Sequence, residues 1–349
     1  MAKRMLATLA VAGLLAAATP GYAQTPPKPA QIVVNASGGA MAKSLREAFF
    51  ADFEKQHGIR VVDTSPADLG KLRAMVQSGN IEWTVTELGA EEAFLAQELN
   101  LIEPLDKKII DLSRFPEHLQ KRTHVFTRSA YSTVIGYRTD VFKGGAHPKS
   151  WAEFWDVKKF PGARSMRNNA ADNLEFALLA DGVPKDKIYP IDLDRAFRKL
   201  DEIKPHVAVW WTTGGQSAQV LVDKEVVLGT AWNGRYYDVI KNGAPIAIEW
   251  GEGAIKESAF AIPKGAKDSY WGMQMLQTMT DPKRQAVYAG LISYPGLNLD
   301  SVQYTDEKIR PFLPTYAANL DKQFWVDTEW WAKNGPRAQE RWSRWIIQK

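Results

Sequence analysis

The hydrophobic positions of the chain alternate between short apolar runs and stretches with a helical spacing of three to four. Residues 31–35 (QIVVN) form a short apolar run of the kind a buried parallel strand needs, and Ser37-Gly38-Gly39 follows it. Leu45, Phe49 and Phe53, four apart, mark one face of a helix that Gly58 is expected to close in the left-handed conformation. A strand resumes at 59–62, a helix over 69–76 ends before Ser78-Gly79, and a third strand is expected at 83–86. The β-rich stretch 130–137 (AYSTVIGY) leads into Pro148-Lys149-Ser150-Trp151, where Ser150 is positioned to cap a helix. A second alternating unit, with segments at 196–203, 207–211, 218–222 and 227–232, runs to about residue 248, and 258–262 (SAFAI) reads as another strand. Such alternation predicts an α/β fold with parallel, doubly wound sheets, which bind ligands at the strand-to-helix loops. That rule points to residues 37–39 and 87–89. Two lobes joined by 131–137 and 258–262 would enclose a cleft.

Composition narrows the class. The chain has 349 residues, which at roughly 150 per domain is about two domains. It has no cysteine, which excludes a disulfide scaffold, a thiolate metal site and a cysteine nucleophile. The net charge of +4, with no run of basic residues, excludes a nucleic-acid footprint. Residues 1–23 have a basic start (Lys3, Arg4), an apolar stretch too short to span a bilayer, and small residues before a cut after Ala23, the layout of a secretory signal peptide. With no cysteine to carry a lipid, the mature protein is expected to be periplasmic, soluble, monomeric and not membrane-inserted.

Catalytic motifs are missing. The five histidines are scattered, and Walker A, GxSxG and GxGxxG patterns are absent. No cofactor or metal is implied, and the chain is expected not to be an enzyme. Ser37-Gly38-Gly39 reads either as a backbone anion site or as a flexible N-cap. Trp330, Trp331, Trp342 and Trp345, at helical spacing, read as a docking face. Trp232 differs, because Trp232-Asn233-Gly234 ends an apolar strand where a loop opens toward the cleft, and an indole there suits stacking or a cation–π contact.

Several segments, taken in order, resemble the periplasmic solute-binding proteins of ABC importers, of the spermidine/putrescine type. They are Gly136-Tyr137-Arg138-Thr139-Asp140, the run from Pro148 to Trp155 (PKSWAEFW), Trp232-Asn233-Gly234, Ala261-Ile262-Pro263-Lys264-Gly265-Ala266 and Tyr294-Pro295-Gly296-Leu297-Asn298. The resemblance implies a two-lobed type II binding-protein fold with a hinge of crossover strands, closing on a solute and docking on an inner-membrane permease. On that basis residues 24–133 and 259–300 are expected to form lobe one, 134–258 lobe two, and 301–349 a helical segment packed on both.

The resemblance also implies ligand contacts from Trp232 and Tyr294. The family's two ammonium-holding acids fall on Asn169 and Asp172, and its tryptophan and aspartate before the A-I-P-K strand fall on Lys256 and Ser258. One acid is kept, one is lost, and a lysine enters. Glu87 and Asp172 could then hold an ammonium group, while Lys256, Arg235 and the amides of Ser37, Gly38 and Gly39 could hold an anion. Since buried charges must be paired, a cleft carrying both signs favours a zwitterionic, amino-bearing solute, with a polyamine as the alternative. Two further alternatives are a ferric-iron site using Tyr236 and Tyr237, and a secreted hydrolase using Asp172 and Glu87.

Overall fold

The computed structural model of the chain describes residues 25–348, so the leader reading of 1–23 lies outside the described residues. Nine strands form one mixed sheet: β1 (Gln31–Asn35), β2 (Arg60–Thr64), β3 (Val85–Gly89), β4 (Phe126–Arg138), β5 (Arg164–Arg167), β6 (Val207–Trp211), β7 (Leu228–Trp232), β8 (Ile246–Ala261) and β9 (Phe324–Trp325). Their spatial order is β2-β1-β3-β8-β4-β7-β5-β6, with β9 beside β8. The outer strands are parallel within each group, as the alternating pattern required. The centre departs from the parallel expectation, because β8 runs antiparallel to both β3 and β4, and β4 antiparallel to β7.

The local signals explain the elements. Gly58 and Gly79 both sit in the left-handed conformation (φ 67° and 72°) at helix ends. Asp68 caps the helix Leu69–Ser78 by accepting from the Lys71 N–H at 2.9 Å, and Ser150 accepts from Glu153 N. The helical stretch from Ala40 to His57 contains a π-helical segment, Arg46–Phe50, that buries Phe49 and Phe50 together.

The two largest of four apolar clusters among the described residues both draw on the central strands. One gathers Ile32, Phe49, Phe53, Phe126, Phe260 and Leu297; the other gathers Trp151, Phe176, Leu200, Trp331, Trp342 and Trp345. β4 and β8 run through both. Residues 126–133 of β4 pair with 254–260 of β8, and 135–138 pair with 246–249. Between them, residues 250–253 of β8 bulge opposite Val134 alone, with Glu252 at φ 57°. The bulge is tied down on both sides: the Glu252 carboxylate accepts from Trp151 N and its carbonyl from Trp151 Nε1, each at 2.9 Å, while Glu252 N donates to Lys322 O at 2.9 Å. The longest crossing strand therefore extends well beyond the 258–262 segment legible as a strand, and that segment lies on the β3 side of the bulge.

The tryptophans of the tail do pack as a face, on the helix Thr328–Ile346. Each buried indole also finds an acceptor: Trp331 Nε1 donates to Glu175 Oε1 (2.6 Å), Trp342 Nε1 to Asn168 Oδ1 (2.9 Å) and Trp345 Nε1 to Asp201 Oδ1 (2.7 Å). Gln339 Oε1 accepts from Ala170 N at 3.0 Å. The tail thus grips the entry to the helix Ala170–Ala180, the segment that presents Asp172.

Glu175 is fully buried in that grip, and burial, with the nearby Asp172 charge, raises its pKa to about 7. A carboxyl whose pKa is higher folded than unfolded adds stability that is complete below about 4.5 and is lost as pH rises through about 7. Wild-type unfolding free energy should therefore fall between pH 5 and pH 8 by roughly 2–3 kcal/mol more than that of Glu175→Gln. Urea titrations at the two pH values check this; equal slopes would remove Glu175 as the cause.

Candidate functional site

The carboxyl ends of β1, β3, β5 and β7 converge with the central strands on a cleft of about 520 Å³. One wall is formed by Ser37, Gly38, Glu87, Ser258 and Tyr294, and another carries Arg167, Trp232 and Arg235. A larger hollow of about 730 Å³, lined by Phe94, His118, Arg122 and Trp325, lies on the other side of Glu257. Its buried carboxylate is already bound to Arg122, and of the residues the sequence singled out none lines it.

Trp232-Asn233-Gly234 is explained residue by residue. Trp232 meets Trp211 and Tyr131 edge-on, at centroid distances of 5.7 and 6.0 Å, with the Arg167 guanidinium 5.4 Å from its ring. Asn233 is wholly buried: its Oδ1 accepts from Ser132 N (2.9 Å), and its Nδ2 donates to Ser293 O (2.9 Å) and Phe312 O (3.1 Å). A Cβ at Gly234 would stand 2.7 Å from both Ile292 O and the Tyr294 ring, so only glycine lets the loop pass. Tyr294 is held against Tyr131 at 5.6 Å, and the Pro295 carbonyl accepts from Ala130 N. Burial pushes the phenols of Tyr131 and Tyr294 well up, so both stay neutral.

The charged candidates are arranged differently from the expectation. Glu87 is buried, with Oε1 accepting from Arg128 Nη2 at 2.7 Å and Oε2 from Ser37 N at 2.6 Å. The Ser37 amide is thereby taken by an internal carboxylate rather than left for an external anion. Gly39 is the N-cap residue of a short helix, at φ 68°, and does not line the cleft. Asn169 also serves as an N-cap, accepting from Ala171 N at 2.9 Å. Asp172 and Lys256, expected to grip opposite ends of a solute, instead pair with each other at 2.6 Å. The physical reason is burial: neither charge could stay desolvated alone.

Tyr236 and Tyr237 do not form a joint metal site. Tyr236 is fully buried against Gly136 and Gly229, and Tyr237 packs on Phe312 at 5.1 Å. Asp172 and Glu87, the acids of the hydrolase alternative, are each locked in an ion pair.

The sequence reading missed Arg167, Tyr131, Glu92 and Asp238 as cleft walls. Tyr131 was recoverable from strand alternation with Thr133. Arg167 ends a four-residue strand (RSMR) with no apolar run to announce it. Burial holds the Glu92 and Asp238 carboxyls above their usual range. Arg235 makes no ion pair among the described residues, and its Nε and Trp232 Nε1 are buried donors without an acceptor. Leaving such donors unpaired costs roughly 1–3 kcal/mol each.

The family described as bacterial extracellular solute-binding protein matches residues 48–314. The chain belongs to that family. It is 31% identical to the gamma-aminobutyric acid-binding protein of Pseudomonas aeruginosa, over 91% of each chain. A solved GABA receptor superposes with a TM-score of 0.85 at 34% identity, covering 91% of this chain and 98% of the other. The spermidine/putrescine-binding periplasmic protein of Escherichia coli is 27% identical over 58% of this chain and 55% of that protein. The two-lobed solute-binding fold is thus established, and the chain is the substrate-binding component of an ABC transporter. The polyamine branch, named from the motifs, is the more distant one. No helix among the described residues is long and apolar enough to cross a membrane.

Asn233 bonds the buried Ser132 N and Ser293 O, while Phe312 O keeps a second donor in Ser293 Oγ at 2.9 Å, so Asn233→Ala leaves two buried backbone groups without that partner. A loss of about 2–4 kcal/mol in urea unfolding is expected; a loss under 1 kcal/mol would mean that water replaces the side chain.

Proposed function

We propose that this binding component captures a small ω-amino acid of the γ-aminobutyrate type and delivers it to an inner-membrane permease from the periplasm. The observation that carries the reading is the unpaired acceptor-seeking wall: Arg235 without an ion pair, Arg167 beside it, and the free Trp232 N–H. A solute carboxylate supplies the missing acceptor. An ammonium group fits the aromatic faces of Tyr131, Trp232 and Tyr294 with the Glu92 carboxylate nearby. The acids that would attract a second ammonium, Glu87 and Asp172, are already neutralised from within. What the P. aeruginosa relative and the solved receptor are named for binding supports the same solute class. Capture proceeds by closure of the two lobes about the crossing strands β4 and β8, which buries the solute.

Calorimetric titration of the mature protein with γ-aminobutyrate, its shorter and longer homologues, putrescine and spermidine tests the proposal. One-to-one binding of the ω-amino acid, at least 100-fold tighter than putrescine, is expected; tight spermidine binding without any zwitterion response would sink it. Arg167→Met and Arg235→Met should each weaken ω-amino acid binding about 10- to 100-fold, the worth of a charged hydrogen bond. Trp232→Ala should weaken it about 30-fold with an unchanged circular dichroism spectrum. Undiminished affinity in that variant would put the solute elsewhere.

A further inference from the structure

The ion pair between Asp172 and Lys256 does more than neutralise two charges. Asp172 is held at φ 76°, ψ −49°, with Ala171 extended before it, inside what is otherwise the first turn of the helix Ala170–Ala180. A non-glycine residue in that region costs of order 1–3 kcal/mol and persists only where the surroundings enforce it. The enforcement comes from the tail helix, which fixes Asn168 and Ala170 just ahead of the strained turn. The strained turn delivers the Asp172 carboxylate, only 1% exposed, to the cleft face of the central strands. There Oδ2 takes every donor: Lys256 Nζ at 2.6 Å, Thr133 Oγ1 at 2.9 Å and, more distantly, Arg167 Nη1 at 3.7 Å. Oδ1 is buried and has no partner.

Lys256 and Asp172 do not themselves line the cleft, but strand alternation puts the lysine on the same face of the sheet, against the cleft wall. Lys256 stands opposite Tyr131 in the β4–β8 ladder and two residues from Ser258, so it shares their face, and Thr133 and Trp232 stand opposite each other in the neighbouring ladder. Its ammonium lies 5.2 Å from the centre of the Tyr131 ring, the same ring that walls the cleft. An acid with a spare buried oxygen, set beside an aromatic ring, has the chemistry of an ammonium subsite.

We propose that Lys256 is a specificity-determining residue: its side chain is a tethered ammonium that fills an acidic subsite at Asp172 and so bars diamines and polyamines from the cleft. The inference rests on the ω-amino acid reading for the wild-type solute. The subsite itself is tested by a gain of binding that does not depend on that reading.

The experiment is calorimetry with putrescine on Lys256→Met, Lys256→Gln and Lys256→Arg, each checked for a native circular dichroism spectrum and thermal transition. Removing the ammonium while keeping the stem (Met), or replacing it with a neutral amide (Gln), should tighten putrescine at least tenfold over wild type. Lys256→Arg, which keeps the charge, should gain nothing. Adding Asp172→Asn to whichever variant gains should abolish the gain. A folded Met or Gln variant with no tighter putrescine binding overturns the proposal, including the case in which Arg167 swings in to take the carboxylate. So does a gain that survives Asp172→Asn. Failure of wild type to bind γ-aminobutyrate would instead strike the proposed solute while leaving the putrescine gain interpretable.

Discussion

The register between β4 and β8 is the constraint on which the cleft depends. Tyr131, Thr133, Lys256 and Ser258 come directly from these two strands, and their neighbours transmit the register outward. Trp232 is placed by its pairing with Thr133, and Glu87 by its pairing with Phe260. Because side chains alternate faces every residue, a slip of one position would turn Lys256 and Ser258 to the opposite face and part them from Tyr131. The bulge at residues 250–253 keeps the ladder in register on both sides of the crossing while letting the strand change direction. Its anchors, Trp151 on one side and Lys322 on the other, belong to different parts of the chain, so the crossing is fixed by long-range contacts and not by a local turn.

Charge pairing is the second organising element. Arg128, 1% exposed, faces Glu87 across the floor, and Lys256 faces Asp172. Buried pairs of this kind contribute little net stability, yet removing one partner is expensive because the other remains desolvated. They are therefore best understood as positioning devices. The Glu87 pair locks the loop after β1 through Ser37, and the Asp172 pair holds the strained helix entry against the central strands. The tail helix belongs to the same system, since its indole N–H groups fasten the segment on which Asp172 sits.

Much of this was legible in the residues. QIVVN is β1 to the residue, Gly58 and Gly79 end their helices as left-handed glycines, Ser150 caps, and Trp232-Asn233-Gly234 opens on the cleft. What escaped detection shares a cause. β5 is Arg-Ser-Met-Arg, and no hydropathy rule assigns a strand to it, because Arg164 is fully buried with its guanidinium donating to the carbonyls of Phe154, Phe160 and Gly162. β8 carries Glu249, Gly251, Glu252, Gly253, Lys256 and Glu257, which break any apolar run, yet most of them are satisfied by partners far along the chain. The Asp172–Lys256 pair spans 84 residues. Local pattern reading treats each such charge as facing water, and only the tertiary fold can tell which ones have found a counterion.

The pairing of charges inside the cleft has a kinetic corollary. Opposite charges a few ångströms apart form dipoles, and a dipole's field fades faster with distance than that of a lone charge. Beyond a Debye length, about 8 Å at physiological ionic strength, the paired residues of the floor contribute almost nothing to the potential a wandering solute feels. Their influence is confined to the last contact. Any longer-range pull on a solute carboxylate is left to the Arg235 guanidinium, unpaired among the described residues, and the paired charges act on how long the solute stays.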